Sequence, residues 1–563
     1  MSFTRREFME VTALSAAALA VGPGNLAHAT SRAGLDDLVR FNATGKLTLM
    51  HFADCHAQLK PVYFREPSVN IGIGGAKGRP PHLVGHDFLN HFGFKPSTLE
   101  AYAYTMQDYV KLANELGPVG GFAQIATLVK HIRNERGAEN CILLDSGDTW
   151  QGSYSSMMTK GEDMIRVANE LGVQGMCPHW EFTYGADQVK ANIEKLNFPF
   201  LAHNVVDTEW EEPVFKPYEM YERAGTKVAV IGQAFPYSPI ANPRRMFPSW
   251  SMGIQEQNVQ ERVNEVREAG AQVVVLLSHN GMDVDLKLAS RVEGIDVILG
   301  GHTHDAVPQP SRIKNSGGTT LVCNSGSNGK YLSRMDIEVE AGRMKGWKYR
   351  LIPVISNLIP EDKKMANLIE EVRAPFKKEI ETVIGKTDSL LYRRGNFNGT
   401  FDDVICNALN EQLDSEVSLS PGFRWGASLL PGQDITMDTL YTQTAITYPN
   451  TYRRQMSGSE IKTILEDVAD NLFNPDPYRQ QGGDMVRVGG LRYRIKLGET
   501  IGKRLHDIEI GGKKMEANKK YWVSGWAAMG EVDGAPIWEV CRKHIEDKKV
   551  ISVQPDTTLK GVS

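Results

Sequence analysis

Five short apolar runs separated by amphipathic stretches set the pattern of the N-terminal part of the chain. Residues 46–52 read as a buried strand that runs into Ala53-Asp54-Cys55-His56. Residues 141–144 form a second run, ending in Asp145-Ser146-Gly147-Asp148, and residues 227–232 a third. The fourth, 272–277, ends in Ser278-His279-Asn280, and the fifth, 296–299, in Gly300-Gly301-His302-Thr303-His304. Between them the spacing predicts helices, for example over 122–135 and 258–268. Apolar strands alternating with amphipathic helices predict a layered α/β domain. In such sheets function gathers just past the carboxyl ends of the strands, and four of these five strands end there in His or Asp.

Two long connections interrupt the pattern. Residues 61–118 are rich in Gly, Pro, His and aromatics, and a connection of this length in a compact domain is functional or disordered. It is expected to cover the site. Residues 360–380 carry a charged helical pattern expected to be a linker helix. From about residue 384 the chain has its own strands and helices. The expected division is therefore a first domain over 44–355 with the 61–118 insertion, a linker over 356–383 and a second domain over 384–563.

Composition adds limits rather than a function. A chain of 563 residues is too long for one core. Its formal charge of −5 offers nothing to attract nucleic acid, and no apolar run is long enough to cross a bilayer. Six cysteines are scattered without metal-binding spacing and read as buried small residues. The N-terminus is more telling: Thr4-Arg5-Arg6-Glu7-Phe8 precedes an uncharged Ala-rich stretch and then Ala27-His28-Ala29. This pattern predicts a twin-arginine export signal over residues 1–29 and a periplasmic protein exported folded; a monomer is expected separately.

The His and Asp turns carry the chemistry. Asp54 and His56 flank one residue at a strand end, Asp148 sits in a tight turn from which a carboxylate can bridge two cations, and His279, His302 and His304 end other strands. Mixed carboxylate and imidazole donors without cysteine suit Mn, Fe or Zn rather than a structural zinc. Any one of these histidines alone would read as a hydrogen-bonded core residue; the whole set at strand ends does not. Cys55 between two of them points the other way by strand alternation. His82, His86 and His91 of the insertion read as solvated loop residues rather than ligands, with room for one of them to face the site, and Arg453-Arg454 as a solvated edge.

In this order the motifs resemble the calcineurin-like metallophosphoesterases. Pro421-Gly422-Phe423-Arg424, Asp434-Ile435-Thr436 with Tyr441, and the stretch from Met485 to Tyr493 narrow the resemblance to the 5′-nucleotidase family. The resemblance implies an N-terminal four-layer metallophosphoesterase sandwich plus a C-terminal α/β domain joined by a linker helix. It also implies two metals: one on Asp54, His56 and His304, the other on His179, His279 and His302, with Asp148 between. Arg424 would pair with an anionic substrate.

The chain departs from that family's pattern at Pro178-His179-Trp180-Glu181-Phe182-Thr183. His179 replaces a ligand Asn, and Trp180 and Thr183 replace a His–Asp dyad that assists an oxygen leaving group. Ala535 stands where nucleotidases carry the second of two base-clamping aromatics, leaving Tyr448 as the first. General acid help is worth roughly 10²–10⁴-fold to a basic leaving group, whereas a thiol has a pKa of only about 8.5. These changes resemble the thiosulfohydrolase branch of bacterial sulfur oxidation. The branch implies two Mn²⁺ ions and a partner, the SoxYZ sulfur-carrier protein, from whose cysteine S-thiosulfonate the terminal sulfonate is hydrolysed to sulfate by metal-activated hydroxide. Asp148, Trp180, Glu181 and Arg424 are then the expected catalytic set, with Trp180 an apolar wall near the sulfur arm, Glu181 an orienting contact, and Arg424, Trp180 and Tyr448 binding substrate. The alternative is a periplasmic 5′-nucleotidase or general phosphomonoesterase; a third possibility is a non-catalytic binder on a decayed scaffold.

Overall fold

The computed structural model describes residues 35–554; the export signal expected over 1–29 lies outside them. The first domain is built on two sheets. One runs, edge to edge, through Arg343–Pro353, Tyr331–Glu340, Leu47–Phe52, Cys141–Asp145 and Gly175–Met176. The other runs through Ser311–Asn315, Gly318–Asn324, Val297–Gly300, Val273–Ser278, Thr226–Gln233 and Tyr218–Arg223. Leu47–Phe52 pairs in parallel with Cys141–Asp145, Thr48 opposite Cys141, and Val273–Ser278 pairs in parallel with both of its neighbours.

Strand alternation divides these residues between two cores. Leu47, Leu49, Ile142 and Leu144 meet Val273, Val275, Leu277 and Leu299 between the sheets. Met50, Phe52 and Leu143 turn outward onto helix Phe122–Arg136, while Val274, Leu276 and Ile298 turn outward onto helices Glu256–Glu268 and Met282–Ala289. Both faces of each sheet are covered, as parallel strands require. The result is the four-layer α/β sandwich of the metallophosphoesterases.

The linker is two pieces rather than the one helix expected. Helix Lys363–Arg373, capped by the Asp362 side chain on the Met365 amide, gives way at Ala374–Phe376 to a tighter turn and a short helix, Lys377–Ile380. Pro375 has no N–H to continue the helical ladder. The long piece packs Met365, Ile369 and Val372 into the outer core of the first domain.

The second domain has a four-stranded sheet ordered Thr451–Ser457, Lys520–Trp526, Val417–Gly422 and Asp484–Gly489. Helices Thr400–Gln412, Met437–Thr444, Gly458–Phe473 and Ile537–Lys548 surround it. The insertion is not a bare loop. Helices Gly85–Phe92, Leu99–Tyr104 and Tyr109–Leu116 build a small core with Phe64, Val119 and Leu430. It straps the two domains: the Arg65 amide donates to Ser428 Oγ and the Ile71 amide to Asn396 Oδ1. All six cysteines are free and buried, Cys55 among the outer core residues.

Candidate metal centre

The strand ends converge because their turns continue the parallel pairing. The Asp54 amide donates to the Gly147 carbonyl at 2.9 Å and the His56 amide to the Asp148 carbonyl at 2.7 Å. The Asp54 side chain accepts the His302 amide at 2.8 Å. Asp54, His56, Asp148, His302 and His304 all hold positive φ, between 46° and 74°. Non-glycine residues rarely adopt this conformation, and it clusters at functional sites held by surrounding structure.

Two donor groups result, one of Asp148, His179, His279 and His302, the other of Asp54, His56, Asp148 and His304, with ligand atoms in each group within 4.8 Å of one another. Asp148 belongs to both. Its Oδ1 lies 3.0 Å from His179 Nδ1, and its Oδ2 lies 3.1 Å from His279 Nε2 and 3.7 Å from His56 Nε2. Asp54 Oδ2 and His304 Nδ1 are buried without a hydrogen bond. Stranded polar atoms of this kind are costly unless something else satisfies them. Seven imidazole and carboxylate side chains with lone pairs converging and no thiolate fit two divalent cations sharing a carboxylate.

The outer ring nitrogens are fixed by backbone carbonyls, as metal-binding imidazoles require. His279 Nδ1 faces the Ser146 carbonyl, His56 Nδ1 the Gln151 carbonyl at 3.3 Å, and His302 Nε2 the Gln481 carbonyl at 2.7 Å. Burial pushes His56 down to about 4 despite the pull of Asp148, and drives His302 and His304 well below the usual imidazole range. Burial opposes ionisation of Asp148, but His179 and His279 hold its carboxyl well below the ordinary value. His279 goes the other way: burial would lower it, yet Asp148 and Asp54 bring it up to about 10.

Residues 383–535 match the family model described as 5′-nucleotidase, C-terminal domain. A solved structure of the sulfate thiohydrolase SoxB from Thermus thermophilus, in complex with glycerol, is 35% identical. The two superpose with a TM-score of 0.89 over 92% of this chain and 96% of that one. The chain belongs to the 5′-nucleotidase family. The 5′-nucleotidase of Bos taurus is 23% identical, covering 80% of this chain and 83% of its own length. The structure of a 5′-nucleotidase precursor, also from Thermus thermophilus, shares the fold at 22% identity and a TM-score of 0.73, covering 92% of this chain and 99% of its own.

Within this nucleotidase frame the second domain closes the centre with aromatics and an arginine. Arg424 Nη1 donates to the Thr303 carbonyl at 2.9 Å and its Nε to Asp484 at 3.2 Å. Thr303 separates His302 from His304, so the guanidinium is anchored on the turn that bears two of the candidate ligands. Arg424, His302, Asp305, Asn70 and His82 line a cavity of about 40 Å³. His82 is therefore not a solvated loop residue: its Nε2 lies 2.8 Å from Asp283, and its Nδ1 3.2 Å from Asn70 Oδ1. The strand patterns of the sequence say nothing about a pairing between segments so far apart. His86 and His91 are exposed.

Trp180 is 6% exposed and inserts from the first domain into the core of the second. It stands edge-on to Phe423 and Trp425, with centroids 5.4 and 5.0 Å away, and lies nearly parallel to Tyr448 at 6.1 Å. Tyr448 is itself buried, its hydroxyl donating to Asn242 at 3.2 Å. Of the residues expected to bind substrate, Tyr448 is buried beside Trp180, where it backs that indole. Glu181 does not face the donors either. Its carboxylate accepts the amides of Thr149 and His179 at 2.7 and 2.8 Å, and those of Trp150 and Asp148 at 3.2 and 3.3 Å. It is a positioning residue that ties the Asp148 turn to His179, the orienting contact expected of it, and not a member of the set that touches substrate.

Sequence reasoning missed two rings that pack on the centre. Trp425 lies 4.8 Å from His56, and Phe235 lies 4.1 Å from both His179 and His302. Each sits at a place already marked, Trp425 directly after Arg424 and Phe235 just past strand Thr226–Gln233.

Proposed function

We propose that this chain is a thiosulfohydrolase of the SoxB kind, cleaving the terminal sulfonate from a cysteine S-thiosulfonate carried by a SoxYZ-type protein in the periplasm. The observation that carries the reading is Trp180 packed over Tyr448. One side chain takes the place of an ionisable proton donor and lies beside the aromatic that would form one wall of a base clamp. The 35% identity to a structure named as a sulfate thiohydrolase supports it.

The reaction is a hydrolysis. The oxygen of water joins the sulfonate sulfur, the S–S bond breaks, and the persulfide sulfur leaves with the electron pair while sulfate and protons are released. Two divalent ions in the centre, Mn²⁺ in this proposal, would supply Lewis acidity and a nucleophile at neutral pH. The candidate ligands would be Asp54, His56 and His304 on one side, and His179, His279 and His302 on the other, with Asp148 shared. Arg424, with N–H groups left over from its two anchors, would hold sulfonate oxygens. Trp180, Phe423 and Trp425 would give the sulfur arm an apolar, polarisable wall. A persulfide is a weak enough base to leave without a proton, so the absence of an imidazole at position 180 costs this substrate little.

The test is a competition between leaving groups. Mature Mn-loaded protein is mixed with a carrier peptide bearing a cysteine S-thiosulfonate, and sulfate release is compared with phosphate release from AMP. Sulfate release should dominate; faster phosphate release would replace this reading with the nucleotidase one.

A further inference from the structure

Of the seven candidate ligands, His302 alone is incompletely buried, and the group that fixes its outer nitrogen comes from the other domain. The Gln481 carbonyl lies 2.7 Å from His302 Nε2, which leaves Nδ1 to face the donor cluster. The next residue, Gly482, holds φ +78°, and a Cβ there would stand 2.5 Å from His302 Nε2. Only glycine lets this backbone pass so close to the ring.

The segment carrying these two residues is clamped to the first domain independently of His302. Lys287 Nζ binds Asp476 at 2.6 Å and lies 3.9 Å from the centre of the Tyr478 ring. The Tyr478 hydroxyl donates to Glu256 at 2.7 Å, and the Tyr237 hydroxyl donates to the Tyr478 carbonyl. These contacts seat the 476–482 stretch on helices Glu256–Glu268 and Met282–Ala289 and on the loop that follows Phe235.

We propose that the Gln481-Gly482 backbone is a positioning element for the cation subsite of His179, His279 and His302, so that the second domain completes a metal centre whose ligands all lie in the first. The opposite subsite, on Asp54, His56 and His304, has no such contact with this segment and does not depend on it. Displacing this segment, rather than undocking the whole domain, should then weaken one cation and spare the other. The proposal concerns cation binding and stands whichever substrate the enzyme takes.

The test reads bound metal rather than turnover. Full-length protein and Gly482→Ala are loaded with Mn²⁺, passed through gel filtration and assayed for manganese per chain, with the exchange-coupled dimanganese signal followed by electron paramagnetic resonance. Gly482→Ala should keep one tight equivalent, lose the coupled signal and bind the second ion roughly 10–100-fold more weakly, the usual scale for disturbing the partner of a metal-binding imidazole. Lys287→Met loosens the clamp without touching His302 or its neighbours, and should weaken the same equivalent by a smaller factor; it also serves if Gly482→Ala fails to fold. Gln481→Ala keeps the carbonyl and should keep both ions. Two tight equivalents and an intact coupled signal in both Gly482→Ala and Lys287→Met would overturn the proposal, as would equal weakening of both subsites.

Discussion

Trp180 and Tyr448 lie with ring centroids 6.1 Å apart and planes 13° from parallel, the first from the metal-bearing domain and the second from its neighbour. Offset stacking of this kind is a stabilising geometry for aromatic pairs, and it is made across a domain boundary. Replacing Trp180 therefore both removes the neighbour of Tyr448 and opens a place for a proton donor.

Restoring the dyad is the direct consequence. Thr183 is buried three positions on, its hydroxyl donating to the Trp180 carbonyl at 2.7 Å. The double change Trp180→His with Thr183→Asp should raise hydrolysis of AMP, whose leaving group is a basic alkoxide, by about 10²-fold or more, while sulfate release from a carrier thiosulfonate falls. An unchanged AMP rate in a metal-replete, folded protein would count against the leaving-group argument.

Arg424 offers a planar fork that lysine cannot reproduce. Arg424→Lys should fold normally, because the side chain lies at a cavity rim and not in a core, yet lose about 10²–10³-fold in kcat/KM, the scale for losing one oxyanion donor. Steady-state kinetics on the thiosulfonate peptide decide it. A loss confined to KM would assign Arg424 to binding alone.

Glu181 supports the centre without touching it. Glu181→Gln turns one acceptor of buried amides into a donor and should destabilise the first domain by about 1–3 kcal/mol. Denaturant unfolding measures the loss, and metal content should fall with it, since the same carboxylate holds the Asp148 and His179 amides.

His82 gives the insertion a pH dependence. Burial opposes its charge, but Asp283 and Asp305 outweigh burial and the repulsion of Arg424, so its pKa is raised from 6.5. A raised basic group stabilises the folded state fully below its unfolded value and loses that contribution as pH rises through the folded one. The strap should therefore be more protected at about pH 6 than at about pH 8.5, on either side of that window. Hydrogen exchange over residues 70–92 would show this, and His82→Ala should remove the difference.

Much of the centre is legible in the sequence. The strands ending in Asp54, Asp148, His279 and His302 are marked by apolar runs, whose burial is a local property, and the turn residues after them face the same way because the strands are parallel. Contacts between distant segments leave no such trace. Nothing near His302 announces that a backbone carbonyl at Gln481 will meet it, and nothing near Tyr448 tells that Trp180 will lie beside it. The helices of the insertion are hidden for another reason: Leu99–Tyr104 and its neighbours span six to eight residues, too few turns for periodicity to stand out from a loop. Pro375, by contrast, is in plain view as the break in the linker.

The five donor-bearing residues with positive φ cost the chain about 1–2 kcal/mol each relative to ordinary backbone. That strain is met partly by backbone pairing, Asp54 and His56 with Gly147 and Asp148, and partly by the Asp54 carboxylate on the His302 amide. The two carboxylates are thus part of the cradle, while the imidazoles are carried by it. His179 stands outside the positive-φ set, with φ −149°, and is held instead through its amide by Glu181. An imidazole can therefore be exchanged at less cost to the frame than either carboxylate.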